Sequence, residues 1–266
     1  MDSFFPRRSA RPSFIKRAPA APPGFFACEV AGLRWLATAQ GGAACARVIG
    51  HDETSLTLER LNSVAPDRAA AHRFGASLAH THDAGAAAFG APPDGWAEPG
   101  FFGPLHQPLP MSLTGHRTWG AFYATERLAP MAELAAPRLG ADESADVEAV
   151  ITRCNRGDFD DDDRPARLHG DLWSGNVMWT VDGAVLIDPA AHGGHRETDL
   201  AMLALFDCPF LDAVINGYQD RRRLRPGWRL RTGLHQLYPL LAHVVLFGAG
   251  YAAQAGSAAR SALTVE

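Results

Sequence analysis

The sequence predicts an α+β protein of two lobes, a small sheet-bearing lobe over residues 1–65 and a larger, mainly helical lobe over 66–266. Three observations carry this expectation. Up to residue 62 the apolar spacing reads strand, helix, strand, strand. Beyond Pro66 it changes to the spacing of amphipathic helices. Within the helical part, one run from Val177 to Ile187, broken at Val181-Asp182-Gly183, reads as a β-hairpin.

Taken in order, SFIKR (13–17) is a short strand with Lys16 near its end. Pro22-Pro23-Gly24 opens a helix over GFFACEVAGLRWLATA (24–39), whose apolar residues recur at helical spacing. ARVIG (46–50) and SLTLERL (55–61) read as strands on either side of the polar turn His51-Asp52-Glu53. Asp67 is placed to cap a helix that stops before Gly85. The Gly/Pro-rich stretch 88–110 reads as an ordered loop, because its aromatic residues need cover. Helices are expected over 118–136 and 143–156, followed by the acidic loop GDFDDDDRP, read as a solvated turn. From Asp199 to Arg260 the chain is mostly helical and apolar, and no internal repeat is visible.

Composition narrows the function classes. The 266 residues are 47% hydrophobic and 20% charged, which suits a globular chain with a real core. A net charge of −4 argues against a general nucleic-acid or anionic-membrane binder, and no apolar run is long enough to cross a bilayer. No apolar stretch follows the N-terminal arginines, so no secretory signal is expected. The scattered Cys28, Cys45, Cys154 and Cys208 fit reduced thiols in a cytoplasmic protein. No obligate protein partner is expected.

The chemistry concentrates in RLHGDLWSGNVMWTVDGAVLIDP (167–189). Phosphoryl transfer asks a protein for positioning and charge neutralisation more than for covalent help. Asn176 and Asp188 offer an amide oxygen and a carboxylate, the hard donors that magnesium takes alongside phosphate oxygens. Asp171, five residues before Asn176, can orient an attacking hydroxyl and accept its proton. The hairpin between them could carry Asp188 back beside Asn176. A lone Asp beside Gly or Pro caps a turn more often than it catalyses, but the whole string is hard to obtain by accident.

HGDLWSGN together with LIDPAAHGGHRETDLAM closely resembles the fructosamine kinase (ketosamine 3-kinase) family, within the protein-kinase-like and aminoglycoside-phosphotransferase-like superfamily. Trp173-Ser174-Gly175 points to fructosamine kinases over their antibiotic-modifying relatives, and LHQLYPLLAHVVLFGAGY (234–251) and TWGAFYATERLAPM (118–131) add further similarity. The resemblance implies a protein-kinase-like fold and transfer of the ATP γ-phosphate to the 3-hydroxyl of a ketosamine, a fructosamine or ribulosamine formed on a glycated amine, in deglycation repair or ketosamine use. It implies Asp171 as catalytic base and Asn176 and Asp188 as Mg2+ ligands. Lys16 would hold the ATP phosphates, with Glu29 as its ion-pair partner. Glu59, Arg60 and Leu61 would form the hinge that meets adenine. Asp199 would brace the catalytic loop, with His169 a packed loop residue. For the acceptor it points to Trp173, His192, Arg196 and His235, although core packing is the default for His235 and Arg196 could equally contact a sugar hydroxyl, a phosphate or its own neighbours.

One departure stands out. The family carries a glycine-rich turn over the phosphates ahead of the lysine, yet MDSFFPRRSARPSF contains no glycine. That lid is expected to be absent, through a truncated gene start or a divergent strand pair, with Arg7, Arg8 and Arg11 either compensating by charge or solvated. Two alternatives therefore stay open: another small-molecule kinase of the aminoglycoside type, and a weakly active nucleotide-binding module. His192, His195 and Glu197 in HGGHRE suggest a metal site at first glance, although zinc on such a loop usually needs a fourth group and a second shell.

Overall fold

The computed structural model describes residues 12–265. The glycine-free segment thus lies largely outside the described residues, as do Arg7, Arg8 and Arg11. The small lobe is built on β1 (Ser13–Arg17), α1 (Phe25–Ala37), β2 (Ala44–Cys45), β3 (Val48–His51) and β4 (Ser55–Glu59). β4 lies central in a three-stranded antiparallel sheet of order β1-β4-β3, with Lys16 opposite Leu56. Its alternation is that of a strand with one covered face: Leu56 and Leu58 point inward onto Phe26, Val30 and Leu33 of α1. β2 was not legible in the sequence. Two residues long, it pairs with the large lobe rather than with this sheet.

The large lobe opens with α2 (Arg68–Asp83), whose N-cap Asp67 accepts from the Ala70 amide at 2.7 Å. The stretch read as a loop contains an antiparallel hairpin, β5 (Gly100–Phe102) and β6 (Leu109–Met111). Next, α3 (Trp119–Phe122) runs through a π-helical turn, Tyr123–Leu128, into α4 (Ala129–Ala135). Pro130 has no N–H for the Glu126 carbonyl, which takes Arg127 Nη1 at 3.0 Å instead. α5 (Ala141–Asn155) follows. β7 (Ala166–Leu168), β8 (Val177–Thr180), β9 (Gly183–Leu186) and β10 (His192–Gly194) then frame the motif. β8 and β9 form the expected hairpin, β2 adds to β9 in parallel, and β7 pairs antiparallel with β10. The chain closes with α6 (Glu197–Leu205), α7 (Leu211–Arg221), α8 (Thr232–Phe247) and α9 (Ala252–Leu263).

Two cores hold this lobe. One lies among α3–α5, α8 and α9, around Trp119, Val150 and Leu241; the other packs Phe74 and Leu78 of α2 against Trp179 and α7. The α2–α7 contact is backbone on backbone. A Cβ on Gly75 would lie 1.9 Å from the Val214 carbonyl oxygen, and one on Gly217 would lie 1.9 Å from that of His72. Alanine is the better helix former by about 1 kcal/mol. Even so, Gly217→Ala is expected to lower unfolding free energy by about 1–3 kcal/mol, because the helices must separate. Urea unfolding measures this, and an unchanged midpoint would contradict such tight packing.

The acidic loop is not a solvated turn. The half-buried Asp161 and Asp163 tuck their carboxylates into ion pairs with His195, Arg196, Arg222 and Arg225, and Asp160 accepts from the Gly120 amide at 2.6 Å. The basic run RRRLR (221–225) supplies two of the partners of this loop, Arg222 and Arg225.

Candidate active site

The cluster starts on the small sheet. Lys16 reaches past the sheet edge, and its Nζ lies 2.9 Å from both carboxylate oxygens of Glu29 and 2.9 Å from Asp188 Oδ1. Three residues from β1, α1 and the end of the β8–β9 hairpin thus meet at one ammonium. Burial opposes the Lys16 charge, but Glu29 and Asp188 outweigh it and hold the group protonated. Asp188 has φ +56, a left-handed conformation that a non-glycine residue adopts at a cost of about 1–3 kcal/mol and that functional sites often store.

Asp171 sits on the loop between β7 and β8, and that loop is pinned from below. Asp199, fully buried on α6, accepts from the His169 amide at 2.8 Å and the Gly170 amide at 3.0 Å. His82 Nε2 lies 3.2 Å from the same carboxylate, and Tyr218 Oη lies 2.8 Å from His82 Nδ1. His169 Nε2 donates to the Ile187 carbonyl at 2.8 Å while Nδ1 accepts the Asp171 amide at 3.3 Å, which fixes a neutral tautomer. Gly170 is required here: its φ is +83, and a Cβ would lie 2.1 Å from the Ala190 oxygen. Asn176 donates its side-chain N–H to the Asp171 carbonyl at 2.8 Å, which turns Oδ1 away as a free donor. Loss of hydration, with Asp188 and Asp199 nearby, pushes the Asp171 carboxyl up to about 7. A general base works best poised near neutrality.

Lys16, Glu29, Asp171, Asn176 and Asp188 line one cavity of about 300 Å³, and Trp173 stands at its wall. The rest of its lining is largely apolar and includes the β5–β6 hairpin, Phe206 and the C-terminal half of α8. Sequence reasoning missed these walls. The doubled Phe101-Phe102 was their one local signal.

Other expected site residues lie elsewhere. Glu59 accepts from the Arg47 amide at 3.0 Å, the Arg60 amide donates to Pro12, and Leu61 packs on the small-lobe core; none of the three lines this cavity. His192 was expected on the acceptor side. It is buried in β10 with Nδ1 2.8 Å from the Ala190 oxygen, and burial with Arg127 nearby pulls it down to about 3. Arg196 was expected to reach substrate. It is committed to Asp163, Asp83 and Tyr218 behind the Asp171 loop, because the turn into α6 carries it to the far side. His235 is likewise buried, with Nδ1 3.0 Å from Thr198 Oγ1.

His195, Glu197 and His235 do cluster, with ligand atoms within 4.8 Å of one another. The ligand atoms there already have partners within the protein. Arg231 binds both Glu197 oxygens at 2.6 and 2.8 Å, and His195 is engaged by Asp161 and by the Glu197 amide. Burial alone would raise Glu197; hydrogen bonds from His235 and Arg231 outweigh it and pull the carboxyl from 4.5 down to about 2. A depressed folded value stabilises above the unfolded value, and that contribution disappears as pH falls through the folded one. Thermal stability is therefore expected to fall from about pH 4.5 to 2, and Glu197→Gln to flatten part of that loss. An acid profile identical in both chains would contradict this.

Comparison with known proteins places the chain in a family. A family model described as fructosamine kinase matches residues 3–264. A "probable ketoamine kinase" of Synechocystis sp. is 33% identical over 257 residues, covering 95% of this chain and 83% of that protein. A solved candidate fructosamine-3-kinase from Thermobifida fusca superposes with a TM-score of 0.88 at 46% identity, covering 97% of this chain and 88% of that one. An aminoglycoside phosphotransferase solved with AMP-PNP and hygromycin B shares the fold, with a TM-score of 0.55 at 20% identity over 91% of this chain and 84% of that one. With its protein-kinase-like, two-lobed α+β fold, this chain belongs to the fructosamine kinase family, a family of phosphotransferases that act on a hydroxyl group.

Proposed function

We propose that the chain transfers the γ-phosphate of ATP to the 3-hydroxyl of a ketosamine. The observation that carries this is the placement of Asp171, raised to about 7, in one cavity with the Lys16–Glu29–Asp188 cluster. Asp171 accepts the proton of the acceptor hydroxyl as that oxygen bonds to the γ-phosphorus; the bond to the ADP oxygen breaks and ADP leaves. Lys16 meets the phosphates, and Glu29 keeps its ammonium in place. The donor set fits magnesium: the free Oδ1 of Asn176 and the Asp188 carboxylate are both hard oxygens. When bound there, the ion would neutralise phosphate charge. Glu59, Arg60 and Leu61, at the end of β4, remain our assignment for the adenine hinge.

Phosphorylation of the 3-hydroxyl destabilises the amine adduct, so the biological sense is deglycation or ketosamine use. ATP use and four free thiols fit a cytoplasmic location. The test is magnesium-dependent ADP release with fructoselysine, ribuloselysine, kanamycin and choline as separate acceptors. Release stimulated by a ketosamine supports the proposal. Stimulation by kanamycin or choline alone would replace the acceptor class, and ATP binding without any stimulation would leave a nucleotide-binding module.

A further inference from the structure

Beyond the reacting groups, the cavity has a second end. A strained turn follows α6, where Asp207 (φ +46) and Phe210 (φ +53) are both left-handed without being glycine. The catalytic loop holds this turn directly: Ser174 Oγ donates to the Phe206 carbonyl at 2.7 Å. The Phe206 ring is thereby fixed on the cavity wall by Ser174, three residues after Asp171 on the same loop. From there, rings continue outward along α8. Phe206 lies 5.1 Å from His243, and His243 lies 5.2 Å from Phe247, centroid to centroid. Phe247 is 54% exposed, a large apolar ring left open at the mouth. The His243 ring is part of the wall rather than a charge: its Nδ1 donates to the Pro239 carbonyl, and burial disfavours the protonated form.

The charges of the cavity are arranged the other way. Among the described residues that line it, Lys16 is the one cation, and both Glu29 and Asp188 hold it. A carboxylate brought in by the acceptor would leave water without a partner and would face three carboxylates. An apolar or aromatic group would instead cover rings already exposed.

We infer that Phe206, His243 and Phe247 form the subsite for the amine-derived part of the acceptor, selecting adducts of apolar or aromatic amines over adducts that carry a carboxylate beside the nitrogen. This deepens the ketosamine reading and rests on it. The sugar end lies at Asp171 and the nitrogen substituent runs along the ring wall.

The experiment compares three fructosamines that differ only in the amine: the adducts of benzylamine, methylamine and glycine. In the parent chain, kcat/KM for the benzylamine adduct is expected to exceed that for the methylamine adduct by about tenfold, with the glycine adduct poorest. Phe206→Ala and the exposed Phe247→Ala should each bring the benzyl-to-methyl ratio to within about threefold, a ratio taken inside each variant and so independent of its overall activity. Phe247→Arg, which adds a cation at the mouth, should raise the glycine adduct relative to the benzylamine adduct. A ratio unchanged in all three variants, or a glycine adduct as good as the benzylamine adduct, would overturn the subsite. Calorimetric binding of the same adducts separates the two levels. Phe206-dependent binding of the benzylamine adduct without turnover keeps the subsite and removes the kinase reading, whereas turnover indifferent to the amine does the reverse.

Discussion

Asp171→Asn is expected to slow transfer to a ketosamine by about a thousandfold while ATP affinity stays within about threefold. The substitution is chosen so that the loop stays in place. Asn176 is anchored on the Asp171 backbone carbonyl, and Asp199 holds the two preceding amides. The carboxylate itself takes a long 3.4 Å contact from Asn176 Nδ2, which an asparagine oxygen can replace, so the substitution removes a proton acceptor without releasing the loop. Lys16, Glu29 and Asp188 also keep their contacts, which is why nucleotide binding should persist. The same carboxyl should appear in the pH profile. Burial and its carboxylate neighbours raise it to about 7, and the base form is the working form, so kcat/KM should rise with pH on the acid side and level off above that value. A variant that retains most of its turnover would show that transfer proceeds without this base.

Asp199→Ala is expected to do the opposite kind of damage, costing about 3–5 kcal/mol of stability. That side chain accepts from His169, Gly170 and His82, and it is buried together with both histidines. Its removal leaves three donors unpaired at once, and each buried orphan costs about 1–3 kcal/mol, less whatever relaxation recovers. For a chain of this size the melting temperature should fall by roughly 10 °C. Turnover should fall with it, since the loop that aims Asp171 hangs on this one carboxylate. A melting temperature within about 2 °C of the parent would show that the loop is held by something else.

What the sequence made legible was what local spacing encodes. Asp171 and Asn176 share one loop, and a hairpin of fixed length returns Asp188 to them, so five residues and a turn sufficed. Lys16 and Glu29 could be paired only through the resemblance, because nothing local links a strand lysine to a helix glutamate. The missed strands are two or three residues long and are stabilised by distant partners, as with Ala44 and Cys45 against Val185 and Leu186. No period can reveal a strand that short. His192, Arg196 and His235 were assigned to the acceptor because they are near the motif along the chain or on a neighbouring helix. The turn into α6 instead carries Arg196 behind the loop, where Asp163, 33 positions upstream, and Asp83 pair it. His192 in β10 and His235 on α8 are buried against the Ala190 carbonyl and Thr198. The acidic loop was misread for the same reason: its ion-pair partners are far away in sequence.

The central claim is that Asp171 directs the γ-phosphate of ATP to one sugar hydroxyl. The most direct measurement is to supply ATP, magnesium and fructosyl-benzylamine, and to locate the phosphate in the product by phosphorus–proton correlation NMR, for the parent chain and for Asp171→Asn. Phosphate on the 3-hydroxyl from the parent chain, and none from the variant in the same time, is the expected result. Phosphate on another hydroxyl, or equal product from both chains, would contradict it.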